Sequence, residues 1–149
     1  MDFDIKAEAK RLFNATWDLF DKGDDRTADD SIDMLHKAHA SRYLWGLVGE
    51  PVNFARGEWQ VSRAYSNLGM GEAAILHALK SLEIAQTDNL GALDVAFGHE
   101  CVARAYAILG DSENAVYHKQ KGLEAAAALD QNDHDYTVGE LNSINIPSQ

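Results

Sequence analysis

Two stretches of the chain decide the fold: ARGEWQVSRAYSNLGMGEAAILHALKSLEIA at residues 55–85 and AFGHECVARAYAILGDSENAVYHKQKGLEAA at residues 96–126. The second lies 41 residues after the first, and 15 of the 31 aligned positions are identical. Unrelated sequences of ordinary composition would share about two. The chain therefore contains an internal repeat, whose identical pairs include Gly57/Gly98, Val61/Val102, Arg63/Arg104, Tyr65/Tyr106, Gly69/Gly110, Ala74/Ala115 and His77/His118.

Each copy of the repeat predicts two helices joined by a glycine turn. Gly69 and Gly110 each follow a helical pattern, at the position where a left-handed residue commonly ends a helix. Asp111 or Ser112 is expected to cap the helix that follows the second turn. Apolar residues recur at helical spacing in the second helix of each copy, namely at Ile75, Leu79, Leu82, Val116 and Leu123.

This arrangement resembles the tetratricopeptide repeat. In that family an aromatic residue near the end of one helix precedes a glycine turn and an alanine early in the next helix. The resemblance covers residues 51–129 and implies an all-α fold, with antiparallel hairpins stacked as a short right-handed superhelix. The family's usual repeat of 34 residues is shorter. Its frequent closing proline is replaced here by Gln86 and Ala127. The matching residues are Tyr65, Gly69 and Ala74, then Tyr106, Gly110 and Ala115.

The N-terminal third matches a degenerate first hairpin, since Gly23 and Ala28 have the same spacing as Gly69 and Ala74. A short helix is also expected at residues 136–144. At least three such units are needed to bury a continuous core. We therefore predict a single domain of about six helices plus a C-terminal cap, with hairpins at 1–48, 51–88 and 91–129 and a cap and tail at 130–149.

Composition restricts the classes of partner. The chain has 24 acidic and 13 basic residues, a net charge of −11. Nucleic acids and anionic membranes are therefore not expected as partners, because lysine and arginine supply most of that affinity. The single Cys101 excludes an intramolecular disulfide, and its helical, apolar setting predicts a buried thiol rather than a nucleophile. With no signal-peptide pattern and no long apolar run, we expect a cytoplasmic protein.

The first helices of the hairpins hold the candidate binding residues. The segment at residues 41–65 resembles a block found in bacterial helical-repeat proteins, a resemblance that implies no activity. In tetratricopeptide folds the first helices line a concave groove that holds ligands. The guanidinium groups and indole of one helical face would suit a protein, peptide or small molecule carrying a carboxylate or phosphate. That face comprises Arg56, Trp59 and Arg63, with the repeat equivalents Phe97, Glu100 and Arg104.

A structural interpretation of the same residues stays open. Glu100 and Arg104 have the spacing of a helical ion pair, and Trp59 would then be packed with Arg63 lying over it. Under that interpretation the face supports the fold, and an external ligand does not contact it.

The histidines are the other candidates. His36 and His39 share a helical face with Tyr43, but a metal site would need a further ligand such as Asp33 or Glu58. The helical metal-binding signatures are absent, so we predict neither a metal nor a cofactor. His77 and His118 occupy equivalent places in the two copies, which indicates a structural role between neighbouring helices.

Catalytic motifs are also missing from the sequence. It has no nucleophile elbow, phosphate-binding loop or dinucleotide fingerprint. We therefore predict a non-catalytic binding module. One alternative is a self-associating homodimer formed through uncovered Phe3, Phe13 or Trp17 at an open repeat end. The other is an enzyme with an unfamiliar site around His36 and His39.

Overall fold

A computed structural model describes residues 3–148 of the chain, and this part contains seven α-helices and no strand. The all-α prediction is confirmed. The last helix begins five residues before the predicted position, because Asp130 accepts a hydrogen bond from the backbone N–H of Asp133 and caps it there. The helices are α1 (Ile5–Asp21), α2 (Ala28–Val48), α3 (Pro51–Asn67), α4 (Gly71–Thr87), α5 (Ala92–Ile108), α6 (Ser112–Ala126) and α7 (Gln131–Asn142).

The helix ends follow the local sequence. Gly69 and Gly110 have φ angles of 73° and 79°, in the left-handed region that glycine adopts without a steric penalty. Asp111, rather than Ser112, caps α6 through a hydrogen bond from the Asn114 backbone N–H. Thr27 caps α2 in a reciprocal capping box with Asp30. The glycine turns predicted from the sequence are confirmed.

The helices form two layers. Each helix packs against the next one in sequence, and short connections make successive helices antiparallel. Helices α1, α3, α5 and α7 also contact one another in order, α1 with α3, α3 with α5 and α5 with α7. We call these four helices the inner layer. No helix in the described part of the chain is both long and apolar enough to span a bilayer.

Glycines allow close contact where successive hairpins stack. A Cβ atom on Gly57 would lie 2.7 Å from Cδ of Arg42, and one on Gly98 would lie 2.9 Å from Cα of Leu82. Both distances are far below ordinary van der Waals contact. The repeated glycine therefore marks the surface where α3 or α5 meets the preceding helix.

Small residues form much of the buried face of the second helices, together with Leu82 and Ile84 on α4. Leu79 and Val116 are 45% and 50% exposed, whereas Ala74, Ala78 and Ala115 are completely buried. Alanine lets the two helices of a hairpin approach closely, and Leu79 and Val116 lie outside that contact. The apolar spacing identified these helices and part of their buried face, since Leu82 is buried and Ile75 and Leu123 pack against the core, but Leu79 and Val116 lie outside that face.

Candidate functional site

The inner layer encloses a pocket of about 170 Å³, lined by residues from α1, α3, α4, α5 and α7. Its walls are mainly aromatic, and we call it the aromatic pocket. Because five helices contribute to it, no single segment of the sequence reveals it. The five aromatic side chains in its lining are Phe13, Trp17, Trp59, Phe97 and Tyr136.

The aromatic side chains hold one another in place. The Trp17 and Trp59 rings stack with their centroids 5.5 Å apart, at 27° between planes. Phe97 meets Trp59 edge-on at 5.7 Å and 83°, and its ring lies 6.1 Å from that of Tyr136. Such pairs add to the stability that area burial provides. The walls of the pocket are therefore formed before any ligand arrives.

An ion pair borders the aromatic pocket. Arg56 donates from Nε to Asp94 Oδ1 at 2.9 Å and from Nη2 to Asp94 Oδ2 at 3.2 Å. The hydrogen bond to Asp94 raises the pKa of the Arg56 guanidinium. Asp94 is buried, while about half of the Arg56 side chain is exposed. This two-point contact fixes the guanidinium plane at the rim.

Glu100 is the centre of a buried polar network behind the pocket. Its side chain is fully buried, and Oε2 accepts a 2.8 Å hydrogen bond from the indole N–H of Trp59. Its Oε1 accepts from Arg104 Nε at 2.8 Å and from Arg63 Nη1 at 3.3 Å. A buried carboxylate costs several kcal/mol in desolvation unless such partners compensate it. Both guanidinium groups therefore neutralise a charge of the chain itself.

The same two arginines hold α7 against the inner layer. Arg63 donates to the Glu140 carboxylate at 3.2 Å, and Arg104 donates to the Glu140 backbone carbonyl and to Ser143 Oγ, both at 3.1 Å. On its other side α7 buries Leu141 completely. Helix α7 is therefore anchored by polar contacts to α3 and α5 as well as by apolar packing.

All six residues predicted to bind a ligand lie in this region, in two groups. Arg56, Trp59 and Phe97 line the aromatic pocket, whereas the other three form the network behind it. The structural interpretation describes part of the arrangement well, because Glu100 and Arg104 form an ion pair and Trp59 is only 7% exposed. The three residues that form the polar network behind the aromatic pocket are Arg63, Glu100 and Arg104.

Sequence reasoning missed several residues of the site. Phe13 and Trp17 stand four positions apart on α1, a spacing that places both on one face. That signal was available, but nothing in the sequence links this face to the repeat. Tyr136 and Asp94 gave no comparable signal, since they reach the pocket only through the packing of α7 and α5.

Four histidines, His39, His77, His99 and His118, make contacts between helices and are absent from the lining of the aromatic pocket. His77 Nδ1 hydrogen-bonds to Glu58 at 2.8 Å, and its ring stacks on Tyr65 at 5.9 Å and 14°. His39 Nε2 hydrogen-bonds to the Tyr65 hydroxyl at 2.8 Å, and burial lowers its pKa. These contacts join α2, α3 and α4. Within residues 3–148, no group of three or more His, Cys, Asp or Glu side chains is arranged to hold a metal ion.

The second copy of the repeat repeats the stacking but changes the hydrogen bond. His118 stacks on Tyr106 at 5.8 Å and 21°, and its Nδ1 lies 3.0 Å from Nδ1 of His99. Burial, together with the charges of His118 and Lys121, lowers the pKa of His99 to about 4. The hydrogen bond between the two rings therefore requires at least one neutral imidazole.

Cys101 lies in the core, where it is 1% exposed. Burial raises the pKa of its thiol well above the ordinary value, so the thiolate form is disfavoured. The prediction that this cysteine is buried is confirmed.

Comparisons with known proteins do not assign a family. No protein-family model matches this sequence. Searches among curated proteins and among solved structures found no significant match either.

Proposed function

We propose that this protein is a non-catalytic binding module of the tetratricopeptide-like type, which takes up a small, ring-bearing apolar group in the aromatic pocket. The observation that carries the proposal is the pocket itself, with five aromatic side chains on the inner layer. Concave, mostly apolar pockets with a few polar groups are typical of ligand sites.

The size of the pocket suits one aromatic ring. An engineered apolar cavity of about 150 Å³ holds benzene, and the aromatic pocket measures about 170 Å³. Burying a ring with roughly 150 Å² of apolar surface provides about 4 kcal/mol, near a Kd of 1 mM before other costs. A neutral ring alone is therefore expected to bind weakly, and tight binding needs a further contact.

The anion-binding role predicted for Arg63 and Arg104 is not part of this proposal. Their donors contact Glu100 and Glu140, and an external carboxylate or phosphate would have to displace those partners. Removing the partners of a buried carboxylate costs about 3–5 kcal/mol. That cost disfavours an anion at these two guanidinium groups.

The test is a calorimetric titration of the chain with indole, a ring of the kind that the aromatic pocket is expected to hold. We expect saturable binding that Leu93→Trp abolishes by filling the pocket, and that Tyr136→Ala weakens several-fold. Tyr117→Ala is the matched control, because Tyr117 and Tyr136 are equally exposed, at 54%, but only Tyr136 lines the pocket. The proposal fails if Leu93→Trp binds indole as well as the parent chain does.

Self-association stays a prediction. Phe3 is 66% exposed, as the homodimer alternative requires, but Phe13 and Trp17 line the aromatic pocket. Light scattering after size exclusion checks it, and a monomer at high protein concentration would remove it. The expected cytoplasmic location also belongs to the proposal, and the single buried cysteine is compatible with a reducing compartment.

A further inference from the structure

A second pocket of about 190 Å³ adjoins the aromatic pocket and shares Phe13 and Arg56 with it. Its lining is more polar, and we call it the polar pocket. Helices α1, α2 and α3 form its walls, through Lys10, Phe13, Asn14, Trp45, Asn53 and Arg56. The two pockets are therefore neighbours, with Phe13 and Arg56 between them.

The polar pocket is an exception in the charge distribution of this protein. The chain carries 24 acidic against 13 basic residues, yet this lining holds two cations, two amides and no carboxylate. Asp94 already compensates the charge of Arg56, so Lys10 supplies the charge that would attract an anion here, while the acidic remainder of the surface would repel it. The charge pattern thus selects an anionic group for this pocket.

Hydrogen-bond donors in the polar pocket are available to a ligand. Asn53 Oδ1 accepts from the Glu50 backbone N–H at 3.0 Å, so its amide nitrogen is left to donate elsewhere. Arg56 uses Nε and Nη2 on Asp94, which leaves Nη1. Within residues 3–148, Lys10 forms no ion pair. A carboxylate could accept from several of these groups at once.

We propose that the ligand is a small aromatic carboxylate, with its ring in the aromatic pocket and its carboxylate in the polar pocket. This inference rests on the proposed function and names the ligand class of the same site. An ionised acceptor in contact with Lys10 and Arg56 should bind roughly 10- to 100-fold more tightly than the bare ring.

A small molecule fits this site better than an extended peptide does. A peptide backbone needs donors and acceptors along the groove, but those beside the aromatic pocket are already paired. Arg63 and Arg104 both donate to Glu100, and the two arginines also hold α7. The polar groups that remain for a ligand are concentrated in the polar pocket.

Three ligands with the same ring test the inference: indole, indole-3-propionate and tryptamine, which are neutral, anionic and cationic. Calorimetric titration of the full chain should show that indole-3-propionate binds with an affinity at least 10-fold higher than that of indole. Tryptamine should bind no more tightly than indole. Lys10→Gln should reduce the advantage of the carboxylate several-fold and leave indole unchanged. Lys6→Gln is the matched control, because it removes the same charge one turn earlier on α1 and lies outside both pockets.

The outcomes separate the two proposals. The inference is wrong and the proposed function stands if indole binds but indole-3-propionate binds no more tightly. The same holds if Lys6→Gln and Lys10→Gln weaken the binding of indole-3-propionate equally. If an acetylated peptide ending in tryptophan with a free carboxylate binds more tightly than indole-3-propionate, the occupant is a peptide end and the small-molecule assignment is overturned. If none of the three rings binds, both proposals fail.

Discussion

The two copies of the repeat carry different residues at a position where they touch. Trp59 in the first copy and Glu100 in the second are exactly 41 residues apart, and they form a direct 2.8 Å hydrogen bond. Stacked repeats place equivalent positions next to each other. Two identical tryptophans or two identical glutamates could not form this donor–acceptor pair. The identical residues of the repeat therefore determine the helical framework, whereas the different residues at facing positions form the polar network and one wall of the aromatic pocket.

A second divergence lies one residue earlier, at Glu58 and His99. Each faces the repeated histidine of its own copy, so His77 meets a carboxylate whereas His118 meets another imidazole. Burial by itself would raise the pKa of Glu58, but the hydrogen bond and charge of His77, with the nearby Arg42, bring it below the ordinary value. The two copies therefore respond differently to acid.

The largest expected effect on stability comes from replacing Glu100, the hydrogen-bond acceptor that joins the two copies. Glu100→Ala leaves the Trp59 N–H and two guanidinium groups without their buried acceptor, and it should lower the free energy of unfolding by about 3–5 kcal/mol. Urea denaturation measures the change. Glu100→Gln should cost less, because its amide oxygen still accepts from Trp59.

Glu140→Ala provides the control for that experiment. Glu140 pairs with the same arginines from a partly exposed position on α7, so its loss should cost about 1 kcal/mol. If Glu100→Ala and Glu140→Ala lower the free energy of unfolding equally, the buried hydrogen bond between the copies contributes no more to stability than the partly exposed ion pairs do.

Substitutions at the repeated glycines, Gly57 and Gly98, should change the free energy of unfolding by an intermediate amount. Gly98→Ala places a methyl group against the Leu82 backbone and should destabilise by about 1–3 kcal/mol. Gly57→Ala meets the Arg42 side chain instead, which can move, so the helix preference for alanine should offset most of its cost. Thermal and urea unfolding compare the two variants.

Gly139→Ala is the control for the comparison of Gly57→Ala with Gly98→Ala. Nothing lies within 4 Å of a Cβ atom at this helical position, so the substitution should stabilise by up to about 1 kcal/mol. If Gly57→Ala is as harmful as Gly98→Ala, the two stacking surfaces are equally rigid, contrary to our expectation.

A further effect on stability is the pH dependence that His99, in the second copy, contributes. Because the pKa of His99 is about 4 in the folded chain, against an ordinary value of 6.5, the unfolded state binds the proton first as the pH falls. Stability therefore decreases between pH 6.5 and pH 4, by roughly 1–2 kcal/mol after allowing for solvent screening. The charged and titratable groups around His99 are His118, Lys121 and Glu124.

Urea denaturation at several pH values checks this dependence. His99→Gln should reduce the slope in that window, whereas His36→Gln, on the exposed side of α2, should leave it unchanged. An unaltered slope in His99→Gln would show that other groups, such as His118 or His39, account for the loss of stability in acid.

Much of the fold was predictable because its determinants are local. Glycine at a left-handed φ angle, as at Gly69 and Gly110, and a capping aspartate each act within a few residues. The 41-residue repeat then required the second hairpin to copy the first. The candidate site was predicted only in part. Residues on one helical face, such as Arg56 and Trp59, were found together, but what each side chain contacts depends on helices far away in the sequence.

The sequence by itself thus determined the helices, their turns and the stacking of similar hairpins. Only the tertiary structure decided which charges are neutralised and where a pocket remains. Arg56 contacts Asp94 across 38 residues, and Arg63 contacts Glu140 across 77. The physical reason is that backbone conformation responds to neighbouring residues, whereas burial of a charge or an aromatic ring depends on how separate helices pack. For that reason Arg63 and Arg104 hold α7, whereas Arg56 borders the proposed ligand site.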